Sequence, residues 1–285
     1  MGVKLSMSYK VVKILNNNVL IAKDPHLKEV VLIGKGIGFK RQVESAIKQS
    51  EIEKLFVLRD QSEQEQFKKL LPHVEEELLK VIISSIELIR ERTESFLNER
   101  IHVALTDHLV FTVNRLMRGI AISNPFLLET KAIYPYEYEI ANEVVQLIND
   151  RTHLELPDEE IGFIALHIHS AMVNRNVHEV SAHSQMIGRL IHLIEKQLKV
   201  TIDRESIDYM RLVRHLRFTE ERVVRGERVE EPEKIATLLK EEYPICYNLS
   251  WKLMKIMQQT LKKPVFDAEA VYLTMHLQRI QTKFK

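Results

Sequence analysis

His108-Leu109-Val110-Phe111-Thr112-Val113-Asn114-Arg115 returns, loosened, as His215-Leu216-Arg217-Phe218-Thr219-Glu220-Glu221-Arg222. His, Leu, Phe, Thr and Arg keep their places. A second match follows. Tyr134-Pro135 sets over Tyr243-Pro244, and without a gap Tyr138 falls on Tyr247, Asp158 on Asp267, Glu160 on Glu269 and His167 on His276. The last matched stretches are Ile164-Ala165-Leu166-His167-Ile168 and Leu273-Thr274-Met275-His276-Leu277. The two halves lie 107 to 109 residues apart, as the paired numbers show. A unit of that length is a domain, so the pattern predicts a duplicated domain rather than a solenoid of short repeats.

The repeat lies in helical sequence. Leu78, Leu79, Ile82, Ile83, Ile86 and Ile89 make one apolar stripe at helical spacing, with Glu75, Lys80, Glu87 and Arg90 elsewhere. Similar amphipathic stretches run to the end of the chain. Arg225 to Pro232 reads as a loop between helices. Everything past residue 67 is expected to be all-α.

The first 60 residues are of another kind. They hold four of the eight glycines and the clearest strand patterns. Val11–Leu15 and Val19–Ala22 flank Asn16-Asn17-Asn18, a tight hairpin turn, because Asn tolerates positive φ. Asp24-Pro25 breaks the second strand. Val30–Ile33 is a third strand, ended by Gly34-Lys35-Gly36-Ile37-Gly38-Phe39, and Leu55–Leu58 a fourth. A four-strand antiparallel sheet of this size has a thin core and gains by pairing with a second copy. Gln61–Gln66 is polar and reads as a short linker. The expected division is a β module at 1–60, a linker at 61–67, and two helical domains at 68–176 and 177–285.

Composition narrows the class. No apolar run approaches the roughly 18 residues that span a bilayer, and no secretory leader pattern opens the chain. One cysteine, Cys246, forms no internal disulfide framework and no multi-cysteine zinc site. A reducing cytoplasm is the expected setting. The net charge of +1 is uneven: residues 1–60 carry 11 Lys and Arg against 6 Asp and Glu, a balance of +5, which leaves −4 on the rest. A basic head on a slightly acidic body suits an anionic partner at one end, nucleic acid among the choices, although solubility alone also explains such a charge.

Of twelve histidines, only His108 with His215 and His167 with His276 coincide between the repeats. Packed, hydrogen-bonded core histidines are one explanation. Metal binding is another, but it needs further ligands, and Asp158, Glu160, Asp267 and Glu269 are expected to open helices, where acids suit the dipole. Acid–base catalysis lacks an accompanying nucleophile. Phosphoryl acceptance fits the chemistry, since neutral imidazole is a nucleophile near pH 7 and a phosphate on it adds roughly −1.5 to −2 charge. Arg279, three residues after His276, and Arg211, four before His215, are placed to receive a phosphate or help dock its donor, or are ordinary surface cations. His102 and His169 flank the paired histidines but have Tyr209 and Gln278 as repeat mates, so they rank behind the four. In the head, the Gly34–Gly38 run has neither the Walker spacing nor the Gly-x-Gly-x-x-Gly order, so a hairpin turn is the better reading. Lys35 offers a cation where backbone approaches closely. Phe39 offers an aromatic face for an unstacked base, or a core side chain. Asn16 and Asn18 offer paired donors and acceptors for base edges.

The stretches 11–19 and 29–39 resemble the co-antiterminator RNA-binding module of the BglG/SacY/LicT family. Thr106-Asp107-His108, Gly162–His167, Arg214-His215-Leu216 and Leu273–His276 resemble the histidine motifs of its two phosphotransferase-system regulation domains. The likeness covers essentially the whole chain, and Phe163–Ser170 is similar to the glucose-type branch. Residues before Met7 have no counterpart. The resemblance implies a regulator and not an enzyme, because phosphoryl groups arrive from partner proteins; no cofactor and no metal are expected. It implies a symmetric dimer whose heads clasp an RNA hairpin overlapping a terminator, with Lys13, Asn16, Asn18, Gly34, Lys35, Gly36 and Phe39 on the RNA. Relatives often carry Arg at the place of Lys35, where Lys lacks the bidentate fork. His108, His167, His215 and His276 become the phosphorylation sites. A sugar-specific enzyme II acts on the first domain to disfavour the active dimer, and the phosphocarrier HPr acts on the second. A DNA-binding activator with the same regulatory domains needs a helix-turn-helix head where this chain has strands. A helical phosphohistidine relay enzyme needs an acceptor-substrate motif.

Overall fold

A computed structural model describes residues 8–26, 28–56, 61–70, 74–93, 97–120, 122–228 and 233–284. Its head is an antiparallel sheet of β1 (Ser8–Ile14), β2 (Val19–Lys23), β3 (Glu29–Ile33), β4 (Ala46–Lys48) and β5 (Lys54–Phe56), in the order β4-β1-β2-β3-β5. Tyr9, Val11, Leu20, Ala22, Val30, Leu32, Ile37 and Ile47 form one core. On the intervening positions Val19, Ile21, Val31 and Ile33 are buried as well. Both faces of β2 and β3 are therefore apolar, which is why these strands read as unbroken runs rather than alternations. The pairing of β1 with β2 slips between Val11 and Lys13, and Lys13 stands exposed beyond that bulge.

Two expectations need correction. The sheet has five strands among the described residues, not four. β4 carries a single buried side chain, Ile47, too little to show as a pattern. The polar stretch at 61–67 is not an open linker but lies in α1 (Gln61–Leu70). Gln, Glu and Lys are sound helix formers, and Phe67, only 2% exposed, anchors the turn. Val57 and Leu58, the outer half of the strand expected at 55–58, lie outside the described residues, as do 229–232 of the loop expected at 225–232.

The remaining helices are α2 (Glu76–Arg92), α3 (Arg100–Met117), α4 (Leu127–Ile133), α5 (Pro135–Arg151), α6 (Asp158–Met172), α7 (Val177–Leu198), α8 (Ile207–Arg225), α9 (Glu233–Glu242), α10 (Pro244–Leu261) and α11 (Asp267–Lys283). Leu79, Ile82, Ile83, Ile86 and Ile89 of α2 are buried, the stripe seen in the sequence. The chain packs as two compact units: residues 1–122, 140–157 and 171–174 make one, and 123–139, 158–170 and 175–285 the other. In the second, Leu190, Ile194, Leu212, Leu216, Leu253 and Leu277 belong to one core that draws α7, α8, α10 and α11 together. Ser206 caps α8 by accepting a hydrogen bond from the Tyr209 amide at 3.2 Å, and Gly226 ends it in the left-handed region at φ 71°. These two stops set the height of His215 on its helix.

Candidate functional site

His215 on α8 and His276 on α11 face each other with ring centroids 4.6 Å apart and planes 36° from parallel. Leu212, Leu216, Leu273 and Leu277, next to them on the same helices, are buried and fix both backbones. The rings themselves are half-buried. They open on a pocket of about 620 Å³ lined by His215, Arg222, Tyr272, Met275, His276 and Arg279.

The electrostatics favour neutral rings. Burial lowers the His215 pKa to about 4, helped by His276. Burial also lowers that of His276, with Arg279 and Arg211 adding to the effect. Nε2 of His215 is buried and has no hydrogen-bond partner. A neutral imidazole keeps a lone pair, and an oxyanion in the pocket would meet guanidinium groups already in place.

Arg222 is the residue that reading the sequence left unused, although it is the last matched letter of the repeat. It lies seven residues after His215, two helical turns along the same face. Its Nε and Nη2 each donate to Glu269 at 2.7 Å, and Thr219 donates to the same carboxylate at 2.8 Å. Burial opposes ionisation of Glu269, yet the bonds from Arg222 and Thr219 hold its pKa below the ordinary value. Glu269 lies in the first turn of α11, as expected of an acid serving the helix dipole, and at 1% exposure it also holds Arg222 beside the pocket. Asp158 and Asp267 do open α6 and α11. Arg211 and Arg279 both approach Asp208, at 3.9 and 2.7 Å. Among the described residues no group of three or more His, Cys, Asp or Glu gathers as a metal would require.

In the first repeat, His108 stands on α3 in the first unit and His167 on α6 in the second, each half-buried. Their neighbours are spoken for. His102 is 4% exposed with Nε2 3.2 Å from Arg90 Nη2, and burial lowers its pKa to about 4. His169 pairs through Nδ1 with Glu137 at 2.7 Å and lies on the Tyr134 ring at 4.1 Å.

At the head, the two loops singled out in the sequence are bound into one surface. The Gly34 amide donates to the Asn18 carbonyl at 3.0 Å, and that of Gly38 to the Asn17 carbonyl at 2.8 Å. The Asn18 side-chain oxygen accepts from the Gly36 amide, and Asn16 Oδ1 accepts from the Asn18 amide at 2.9 Å. Asn18 is buried, so its carbonyl oxygen serves the loop. A Cβ on Gly34 would strike the Glu51 carbonyl, and one on Gly38 the Asn16 carbonyl. Gly36 instead needs its φ of +69°. Around this frame Lys13, Lys35 and Gly36 are exposed and Asn16 is half-buried. Phe39 is 58% exposed, so it is not a core side chain. Lys40, which the sequence reading passed over, holds its amino group 5.3 Å above the Phe39 ring.

Comparison with known proteins matches the CAT RNA binding domain to residues 9–65 and the PRD domain to 83–171 and 188–280. The chain is 53% identical over 276 residues to the PtsGHI operon antiterminator of Bacillus subtilis (strain 168), covering 97% of this chain and 98% of that protein. It is 39% identical over 272 residues to the GlcA/glcB genes antiterminator of Staphylococcus carnosus (strain TM300), covering 95% of each. The crystal structure of GlcT CAT-PRDI is 52% identical with a TM-score of 0.53, and covers 59% of this chain and 99% of its own.

Proposed function

Because the chain belongs to the family of transcriptional antiterminators that join a CAT RNA binding domain to two PRD domains, we propose that it holds an RNA hairpin in the leader of phosphotransferase-system genes and is switched by histidine phosphorylation. The observation that carries the switch is the open pocket in which His215 and His276 meet at 4.6 Å beside Arg222 and Arg279. A ring nitrogen attacks the phosphorus of a donor phosphohistidine. The new N–P bond forms as the donor's breaks, and the proton on the acceptor's other nitrogen passes to the departing imidazole. The donors we assign are the phosphocarrier HPr for the second domain and a sugar-specific enzyme II for the first, where His108 and His167 accept.

The head supplies the RNA contact. Lys13, Lys35 and Lys40 meet phosphates, and Phe39 takes an unstacked base on its open face, while Asn16, Asn18, Gly34 and Gly36 shape the loop they share. Two heads act as a homodimer, and the charge placed on the histidines biases how the two chains meet. A bias of about 3 kcal/mol moves a two-state population by more than a hundredfold. We assign the head to 1–60, a helical connection to 61–67 and the two regulatory domains to 68–176 and 177–285, in the cytoplasm.

The test uses the full chain and a leader RNA carrying the hairpin. Phe39→Ala should weaken binding about tenfold or more, the worth of one base stacked on an aromatic ring. Lys35→Ala should flatten the fall of affinity with salt by about one phosphate contact. His108→Asp and His167→Asp should lower antitermination. Preference for duplex DNA, or full antitermination by both Asp variants without the transporter, contradicts the proposal. Phosphate passed onward to a small molecule would point to a relay enzyme instead.

A further inference from the structure

The pocket of His215 and His276 has a carboxylate at its edge that phosphoryl acceptance leaves unused. Asp208 lies in the first turn of α8 and is 5% exposed. Its Oδ2 accepts a hydrogen bond from Lys283 Nζ at 2.7 Å, and its Oδ1 lies 2.7 Å from Arg279 Nε and 3.9 Å from Arg211 Nη1. Three cations converge on one acid, and one of them, Arg279, also lines the pocket. This quartet is private to the second repeat. At the matching places the first repeat carries Ile101, Ala104, Ser170 and Asn174. An acid at a helix start suits the dipole, but that alone draws no pocket arginine toward it.

We propose that Asp208 is a positioning residue of the second histidine pair: it occupies Arg279 while the pocket is empty and yields that guanidinium to an oxyanion at His276. The inference rests on the pocket accepting phosphate. A phosphoryl group brings nearly two charges and three acceptor oxygens against the single charge of a carboxylate, so it wins Arg279. Lys283 and Arg211 stay behind, so Asp208 is not left as a bare buried charge. The empty pocket is thereby guarded against free anions, and the second repeat gains a preference for covalently delivered phosphate from residues that the first repeat lacks at the matching places.

Inorganic phosphate is the probe, with the full chain and the ring resonances of His215 and His276 as the readout. Asp208→Asn should bind phosphate about tenfold tighter, the worth of one charge-assisted hydrogen bond that the guanidinium, freed from its ion pair, makes to the ligand. In an Arg279→Gln background the same change should have little effect, because the guanidinium it frees is gone. Equal tightening in both backgrounds would mean that Asp208 acts only as a nearby negative charge, and no tightening would mean that it does not hold Arg279; either overturns the proposal. Should Asp208→Asn fail to fold, the unaltered chain decides: phosphate must shift the Arg279 Nε–H resonance, and a static resonance overturns the proposal. Phosphate that moves neither histidine ring in any variant defeats the acceptor reading itself.

Discussion

His215 shows how burial and chemistry are joined in this protein. Its ring is shielded enough to stay neutral, with a pKa of about 4, yet it lies on an open pocket. His102 shares the low value through burial, with the Arg90 guanidinium beside it adding to the effect. For both rings the unfolded chain binds protons near pH 6.5 while the folded chain does not. Stability is therefore full above pH 6.5, falls as pH drops toward 4, and levels off below. Urea unfolding of the full chain at pH 7 and pH 4.5 should show His102→Gln recovering on the order of 2 kcal/mol of the acid loss; an acid loss identical in the variant contradicts the assignment. Arg222 is read by a different balance. Arg222→Ala leaves Glu269 buried without its partner, and should cost about 3 kcal/mol, the lower end for a buried pair broken on one side, because Arg222 keeps some water. Thermal unfolding measures it, and a change under 1 kcal/mol would show that the pair is not stabilising. Arg222 and Glu269 were both legible as repeated letters; their pairing was not, since 47 residues separate them and nothing local marks it.

The elements were legible where a periodic pattern ran long enough. The α2 stripe and the helices bearing all four paired histidines follow from spacing. β4 does not, because three residues with one buried side chain carry no period. The polar composition of 61–67 suggested open chain, but composition does not prevent a helix anchored by Phe67. In the head, the glycines do distinct work that a turn motif cannot separate. Gly38→Ala should disrupt the loop, since the added carbon meets the fixed Asn16 carbonyl, whereas Gly36→Asn should be tolerated because space is open and Asn accepts positive φ. RNA binding by the full-chain variants separates the two, and equal loss in both would contradict this division. Asn18 was read as a base-edge contact; what its residue type could not reveal is the bond its oxygen accepts from the Gly36 amide.

At the scale of the whole molecule, the proposed reading gives the chain two kinds of anion site: exposed lysines in the basic head for a polyanion that binds and leaves, and half-buried imidazoles in the repeats for a phosphate that is carried in. How residues 123–139 and 158–170 join the unit built from the second repeat was not legible, because that depends on packing between segments distant in sequence. The two sites follow opposite rules of burial, and the histidines decide whether the chain is regulated as described. The full chain, incubated with phosphorylated HPr and separately with the phosphorylated cytoplasmic domains of the sugar transporter, should be mapped for phosphohistidine at neutral to alkaline pH. Label confined to His108, His167, His215 and His276 is the expected result; label favouring exposed histidines such as His26, His178 or His192, or no label at all, would contradict it.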